Sequence, residues 1–221
     1  MKRILITFSV SLSLLIGSIS ICYGQDEELR RLELAAAQGN ADAQYFLGLR
    51  YYNGEGVTQD YRTAVKWYSL AAEQGDAEAQ FSLGLRYYFG EGVTQDYRTA
   101  VKWLSLAAEQ GEPGAQYSLG VMYYYGEGVT QDYRTAVKWY SLAAEQGLAD
   151  AQFNLGVMYQ NGDGVTQDYV RAHMWYNISA ANGFDGGAEN RDIVAQDLTT
   201  ADISKAQEMA RECVDRNYKG C

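Results

Sequence analysis

The sequence has very few of the residues from which most metal and catalytic sites are built. Its 221 residues include one histidine, His173, and three cysteines. Zinc sites and Ser-His or Cys-His catalysis need histidine or clustered cysteine, so most sites of these classes are excluded. There is also a single proline, Pro113, against 23 glycines, which excludes collagen-like and proline-rich linker proteins.

Positive charge is also scarce. The chain has 18 Lys and Arg against 28 Asp and Glu, a formal net charge of -10. An acidic surface repels phosphate backbones, so we expect no nucleic-acid partner. Hydrophobic residues make up 47% of the sequence and charged residues 21%, which is the composition of a folded protein rather than of a disordered segment.

Residues 1–24 have the pattern of a secretory signal peptide. A basic start precedes an apolar run over 4–21, and small residues precede Gln25. The run is at the short end for a membrane span, and acidic residues follow it. We expect cleavage after Gly24, no integral membrane span in the cleaved chain, and a periplasmic or secreted protein. A lipid anchor on Cys22 is the alternative.

Two cysteines then lie close together near the end of the sequence, Cys213 and Cys221. In an oxidising compartment, two nearby cysteines predict one disulfide. The alternative, a redox pair, is disfavoured because the sequence has no Cys-x-x-Cys spacing.

A 36-residue repeat dominates the rest of the chain. The segment 54–67 recurs unchanged at 90–103 and at 126–139, and a diverged copy begins at Gly162. All four tryptophans follow the same period: Trp67, Trp103, Trp139 and Trp175. Such self-similarity is typical of stacked supersecondary units that cannot bury their apolar faces alone.

Each copy predicts two helices. In the first copy, one helix runs from about Ala41 to Tyr52 and the other from Tyr61 to Gln74. Gly54 and Gly56 end the first helix and turn the chain, because glycine adopts positive φ freely. Asp60 can cap the second helix. The sequence therefore predicts an all-α fold.

The repeated positions carry a specific signature. In the first copy they are Ala43, Leu47, Gly48, Tyr51, Gly54, Gly56, Val57, Asp60, Ala64, Trp67, Ala71, Ala72 and Gly75. This order closely resembles the Sel-1-like repeat, a family of α/α solenoids related to the tetratricopeptide repeat. The resemblance implies a right-handed superhelix whose first helices line a concave groove. It also implies an adaptor that gathers partner proteins.

The resemblance covers about 35–183 as four copies. We place them at 35–70, 71–106, 107–142 and 143–178 with a closing turn, after the start of a preceding helix at 25–34. Residues 184–221 depart from the signature. There we predict capping helices, one of them opened by a capping box at Thr199, with the disulfide closing the end.

No constellation of residues in the repeats points to catalysis. His173 stands where the other copies have valine, which favours a core or half-exposed residue over a general base. Helix capping explains the periodic carboxylates Asp60, Asp96, Asp132 and Asp168. Cysteine-rich relatives, to which penicillin binding or hydrolysis has been attributed, carry a disulfide in each repeat, and this sequence lacks those pairs. We therefore expect no enzyme, no metal and no cofactor.

One stripe of the first helices differs in sequence between the copies, while the other faces of these helices are nearly constant. This pattern is typical of a surface on which each copy makes its own contacts with a partner. We predict that it lines the groove and binds peptide through Phe46, Arg50, Asn53, Ser82, Arg86, Phe89, Ser118, Met122, Tyr125, Asn154, Met158 and Asn161. The two arginines favour an extended peptide with an acidic end. The alternative is sequence drift on a solvated face.

Together these features predict an exported monomeric scaffold that binds a protein or peptide through its concave groove. Two alternatives stay open. One is a cell-wall-associated binder or a hydrolase of β-lactams or muropeptides. The other is a secreted factor that binds a host protein.

Overall fold

The computed structural model describes residues 27–221, and within that range the chain forms eleven α-helices and no strand. They are α1 (27–37), α2 (Ala41–Asn53), α3 (Tyr61–Glu73), α4 (Ala77–Phe89), α5 (Tyr97–Glu109), α6 (Pro113–Tyr125), α7 (Tyr133–Ala144), α8 (Ala149–Asn161), α9 (Tyr169–Ala181), α10 (Asp185–Ala195) and α11 (Thr200–Asp215). The predicted all-α solenoid of helix pairs is confirmed. The predicted signal peptide, 1–24, lies outside the described residues.

The helices belong to two compact units. The first reaches to Ala79 and includes Glu91–Val93, and the second consists of Gln80–Gly90 and Thr94–Cys221. The first unit therefore contains α1 to α3, and the second contains most of α4 and all of α5 to α11.

A glycine sets the distance between the two helices of each repeat. In the second unit, a Cβ added to Gly156 would lie 2.6 Å from the ring of Tyr176, and one added to Gly120 would overlap the ring of Tyr140. No real Cβ approaches an atom so closely. Both glycines lie in first helices, α8 and α6, and both rings in the paired second helices. The helix pair therefore packs at a distance that only glycine permits.

The second helix of each repeat begins at an aspartate cap, as the sequence predicts. Asp132 accepts backbone hydrogen bonds from Arg134 and Thr135 and a side-chain bond from Thr135 Oγ1 at 2.7 Å. The hydroxyl bond from Thr135 lowers the pKa of Asp132. The same cap opens the other second helices, at Asp60, Asp96 and Asp168. Capping accounts for these periodic carboxylates.

Within each unit, a buried glutamine of a first helix bonds to the helix that precedes its repeat. Gln116 is 5% exposed; its Nε2 donates to the carbonyl of Ala108 at 3.2 Å, and its Oε1 accepts from Gln146 at 2.9 Å. Gln152 makes the equivalent bonds, to Ala144 and from Asn182. In the first unit Gln44 does the same with Ala36 and Gln74. We call these bonds the glutamine ladder.

Tyrosine hydroxyls make a second link between repeats. Tyr88 donates to Glu127 at 2.7 Å, and Tyr124 donates to Asp163 at 3.4 Å. Each acceptor lies in the glycine-rich turn of the following repeat. That turn fits closely against its neighbour, because a Cβ on Gly128 would lie 2.5 Å from the carbonyl oxygen of Tyr97.

Helices α10 and α11 pack against α9 at the end of the second unit. On α9 the side chains of Met174 and Ile178 are buried together with Ala210 and Cys213 of α11. The predicted capping box at Thr199 is present. The predicted disulfide is confirmed, since Cys213 and Cys221 are bonded with their Cα atoms 5.5 Å apart.

Candidate functional site

The second unit has an aromatic pocket on the face formed by its first helices. Its volume is about 340 Å³, and its lining comes from α6, α7 and α8. The residues are Tyr117, Val121, Tyr124, Tyr125, Tyr140, Phe153, Asn154, Val157 and Met158. We call this the aromatic pocket. A concave, mostly apolar surface with a few polar groups is typical of a binding site.

Ring contacts fix the orientation of the tyrosines in this pocket. The rings of Tyr124 and Tyr125 meet edge to face with centroids 4.9 Å apart, and those of Tyr117 and Tyr140 lie 5.8 Å apart. Tyr125 is the most open of the set, with 66% of its surface exposed. Tyr140 is 2% exposed and forms part of the floor. The arrangement is a rigid aromatic floor with one ring at the rim.

Burial and nearby carboxylates both hold these tyrosines neutral. Burial is the main cause that raises the pKa of Tyr117 and Tyr124; the charge of Asp150 adds to it at Tyr117, and the charge of Asp163 at Tyr124. Burial likewise raises the pKa of Tyr140. The hydroxyls therefore act as hydrogen-bonding groups near pH 7, not as charges.

The first unit has a pocket between α1 and α2 whose lining includes charged side chains. Its volume is about 600 Å³, and its lining includes Phe46, Arg50 and Asn53 of the predicted stripe. Arg50 Nη2 lies 3.5 Å from Glu28 Oε1, and Asn53 donates to Glu55 at 2.9 Å. Arg50 therefore already has an acidic neighbour within its own unit.

The residues of the predicted stripe differ in how much of their surface is exposed to solvent. Phe46, Asn53, Phe89, Tyr125 and Asn161 are exposed, while Arg50, Ser82, Ser118 and Asn154 are half-buried. The prediction that Met122 offers a binding surface is wrong, because it is 0% exposed, whereas Met158 is 1% exposed but lines the aromatic pocket. Both pack into the hydrophobic core with tyrosines of the preceding repeat.

The predicted preference for an acidic peptide end also needs correction. Arg86 is 7% exposed, so its guanidinium is not available as a surface charge. Arg50 is the other arginine of the stripe, and it lies beside Glu28. Neither side chain presents the open positive charge on which that prediction depended.

The repeat geometry matches a known family model. The Sel1 repeat model matches four consecutive segments, 41–76, 77–112, 113–148 and 149–184. The chain belongs to the Sel1 repeat family. The matched segments are 36 residues long, as the sequence period predicts, and they begin at 41 rather than at the 35 that we chose. Sel1 repeat proteins are generally protein-interaction scaffolds and are typically not enzymes.

Two solved structures are similar to this Sel1 chain. One is a protective antigen present in uropathogenic Escherichia coli strains that displays an SLR fold, with 38% identity and a TM-score of 0.75 over 87% of this chain. The other is a Sel1 repeat protein from Oxalobacter formigenes, with 39% identity and a TM-score of 0.68 over 75% of this chain. The chain spans 45% and 48% of their lengths. No curated protein matches it.

Sequence reasoning missed six of the nine residues that line the aromatic pocket. Tyr117, Tyr124 and Phe153 lie on first helices but outside the predicted stripe, and Tyr140 lies on a second helix. The equivalent positions of the first and fourth copies are also tyrosine (Tyr68 and Tyr176) and only Leu104 differs, so position 140 gave no signal of its own.

The only histidine of this Sel1 chain is buried, as predicted for a core residue. His173 is 2% exposed, and among the described residues its Nδ1 has no hydrogen-bond partner. Burial lowers its pKa, and the charge of Arg191 lowers it further while Asp192 acts in the opposite direction. Over 27–221 there is no group of three His, Cys, Asp or Glu side chains suited to a metal ion. Within the same residues, no helix is both long and apolar enough to span a membrane.

Proposed function

We propose that this chain is an exported scaffold that binds a protein or a peptide through the first-helix face of its second unit, as a monomer and without a cofactor. The observation that carries the proposal is the aromatic pocket between α6 and α8. Tyrosine and other aromatic side chains are the commonest anchors at protein interfaces, and recessed anchors surrounded by other contacts contribute most to affinity.

Two exposed rings on the same face support this proposal. Phe89 is 58% exposed and Tyr125 is 66% exposed, and the two occupy equivalent positions in successive repeats. Each is fixed edge to face against the preceding tyrosine at 4.9 Å. Exposed rings held in place by a neighbour lose little conformational entropy when a partner covers them.

Site-specific photocrosslinking in cells tests the proposal. A benzophenone amino acid replaces Tyr125 on the proposed face, and in a matched control it replaces Lys138, which is exposed on α7. We expect a protein adduct at position 125 that is absent at position 138. Mass spectrometry should assign the crosslink to one segment of the partner.

The outcome also separates the alternative functions. Equal adducts at 125 and 138 would contradict the proposed face. No protein adduct at either position, together with turnover of a β-lactam or muropeptide by the purified chain, would favour a cell-wall hydrolase. An adduct with a host protein but with none of the producing cell would favour a secreted factor.

Export and the oligomeric state need measurements of their own. N-terminal sequencing of the mature protein should begin at Gln25 if residues 1–24 are a signal peptide. Retention of the full sequence in the cytoplasm would contradict export. A mature protein that begins at a lipid-modified Cys22 would show that the chain is anchored to a membrane by lipid. Light scattering after size-exclusion chromatography should give the mass of one chain.

A further inference from the structure

The aromatic pocket has room for side chains but not for a whole helix of a partner. Its volume of about 340 Å³ is at the lower end of the range for ligand sites. The chemistry of its lining therefore decides which side chain or small group it binds.

The lining is rich in aromatic rings and carries no positively charged side chain. Five of the nine lining residues are tyrosine or phenylalanine, and among these described residues there is no Lys or Arg. The face of an aromatic ring carries negative charge density and attracts a cation placed over it, more strongly when water is excluded. Two or more rings around one space add their contributions.

Two carboxylates give the surroundings of the pocket a negative charge. Asp150 acts on the ring hydroxyl of Tyr117, and Asp163 accepts a hydrogen bond from Tyr124. The whole chain has a net charge of -10. Such a field attracts a positively charged partner and repels an acidic one.

We propose that the aromatic pocket binds the lysine or arginine side chain of a basic, extended peptide segment of the partner. The aliphatic stem packs on Val121 and Val157, and the charged end lies over the tyrosine faces near the carboxylates. This inference rests on the proposed function, because it names the chemistry that the first-helix face recognises.

Titration of the isotope-labelled chain by NMR tests this specificity with four blocked amino acids. The probes are the N-acetyl methylamides of arginine, citrulline, norleucine and glutamate. Citrulline has the shape of arginine without its charge, so the pair isolates the effect of charge. We expect arginine to bind about five-fold or more tightly than citrulline, with glutamate the weakest, and with shifts at Tyr117, Tyr124 and Tyr125.

A matched pair of variants locates the binding. Tyr125→Ala removes the ring at the rim, and because that ring is 66% exposed the fold should be unaffected. We expect it to weaken the arginine probe about two- to five-fold. Leu142→Ala removes an exposed apolar side chain of α7 that is not part of the aromatic pocket, and it should leave the affinity unchanged.

A second pair tests the carboxylate. Asp163→Asn should weaken the arginine probe at low salt and leave citrulline unchanged, and the difference should disappear in high salt. Glu127→Gln, at the equivalent position of the preceding repeat, should have no effect. The affinities of the two uncharged probes, citrulline and norleucine, then show how much of the binding depends on side-chain shape rather than on charge.

Three results would overturn the inference. They are equal affinity for arginine and citrulline, tighter binding of norleucine than of arginine, or shifts that avoid the pocket residues. If position 125 still crosslinks to a protein in any of these cases, the proposed function stands and only the preference for a cation is wrong.

Discussion

The glycines of the first helices decide how closely the two helices of a repeat can approach. At Gly120 the ring of Tyr140 occupies the space where a side chain would begin. Any larger residue must push that ring, which is 2% exposed, into a closely packed core. Because protein interiors have little free volume, such overpacking is destabilising.

We expect Gly120→Leu to lower the free energy of unfolding by about 1–3 kcal/mol, measured by urea denaturation. In a Tyr140→Ala background, which vacates the ring position, the same substitution should lower it by less. An equal loss in both backgrounds would mean that the ring is not what opposes the side chain.

His173 is the one side chain of the sequence whose ordinary pKa lies between pH 5 and pH 8. Its pKa in the folded chain lies below the ordinary value of 6.5, because burial disfavours the charged form. The unfolded chain therefore takes up a proton at a higher pH than the folded chain does. The contribution of neutral His173 to the free energy of unfolding is therefore fully present above pH 6.5. It is lost as the pH decreases through the folded pKa.

We expect the urea concentration at the unfolding midpoint to be lower at pH 5 than at pH 7.5. We expect His173→Val to remove most of this difference. Valine is the residue at this position in the other three copies (Val65, Val101 and Val137). Unfolding curves at several pH values measure both chains. A fall of the same size in the variant would assign the pH dependence to carboxylates instead.

At the scale of helices, the end of the second unit is held by a short covalent link. The disulfide joins Cys213, buried on α11, to Cys221. The segment between them places Tyr218 within hydrogen-bond distance of Asn182 and Gly220 near Glu145. The link therefore fixes the last residues against the turns that follow α7 and α9.

We expect reduction of this disulfide to destabilise the chain by about 2–3 kcal/mol, because the open chain gains conformational entropy when unfolded. Urea unfolding with and without a reductant measures the change. The double variant Cys213→Ala and Cys221→Ala provides the control, and its midpoint should not respond to the reductant. A shift of equal size in that variant would contradict the assignment to the disulfide.

Most helices of this chain could be predicted from local patterns. The sequence predicts α2 from about Ala41 to Tyr52, and the structure has it from Ala41 to Asn53. The agreement is close because glycine turns and aspartate caps depend only on near neighbours. Burial depends on residues a full repeat away. Met122 and Arg86 were therefore misjudged as surface residues, and the role of Gln116 in the glutamine ladder was not seen.

For the candidate site the sequence located the face but not the pocket. Tyr125 and Asn154 lie on the predicted stripe and line the aromatic pocket. The floor needed Tyr140 of a second helix, whose contribution depends on how the two helices of one repeat pack. A stripe along one helix does not contain that information.

Within the second unit, equivalent residues bond the 113–148 repeat to the repeats on both sides of it. Removal of 113–148 would join Glu112 to Ala149. Gln152 would then occupy the place of Gln116 beside Ala108, and Asp163 that of Glu127 beside Tyr88. In repeat arrays, stability is the sum of such local terms.

We expect the chain without 113–148 to remain helical and to unfold cooperatively at a lower urea midpoint. Circular dichroism during urea denaturation measures both. Removal of 113–130 deletes α6 and leaves α7 unpaired, so that variant should lose cooperative unfolding. If the two deletions behave alike, the repeat is not an exchangeable unit.

The glutamine ladder also determines how the array responds to mechanical force. The bonds from Gln44, Gln116 and Gln152 to backbone carbonyls reach only the helix before their own repeat, so they link the array in successive local steps. A pulled molecule should therefore lengthen in discrete steps. One 36-residue repeat released as extended chain gives about 120 Å of contour length, and that increment is the expected spacing of events in a single-molecule stretching trace.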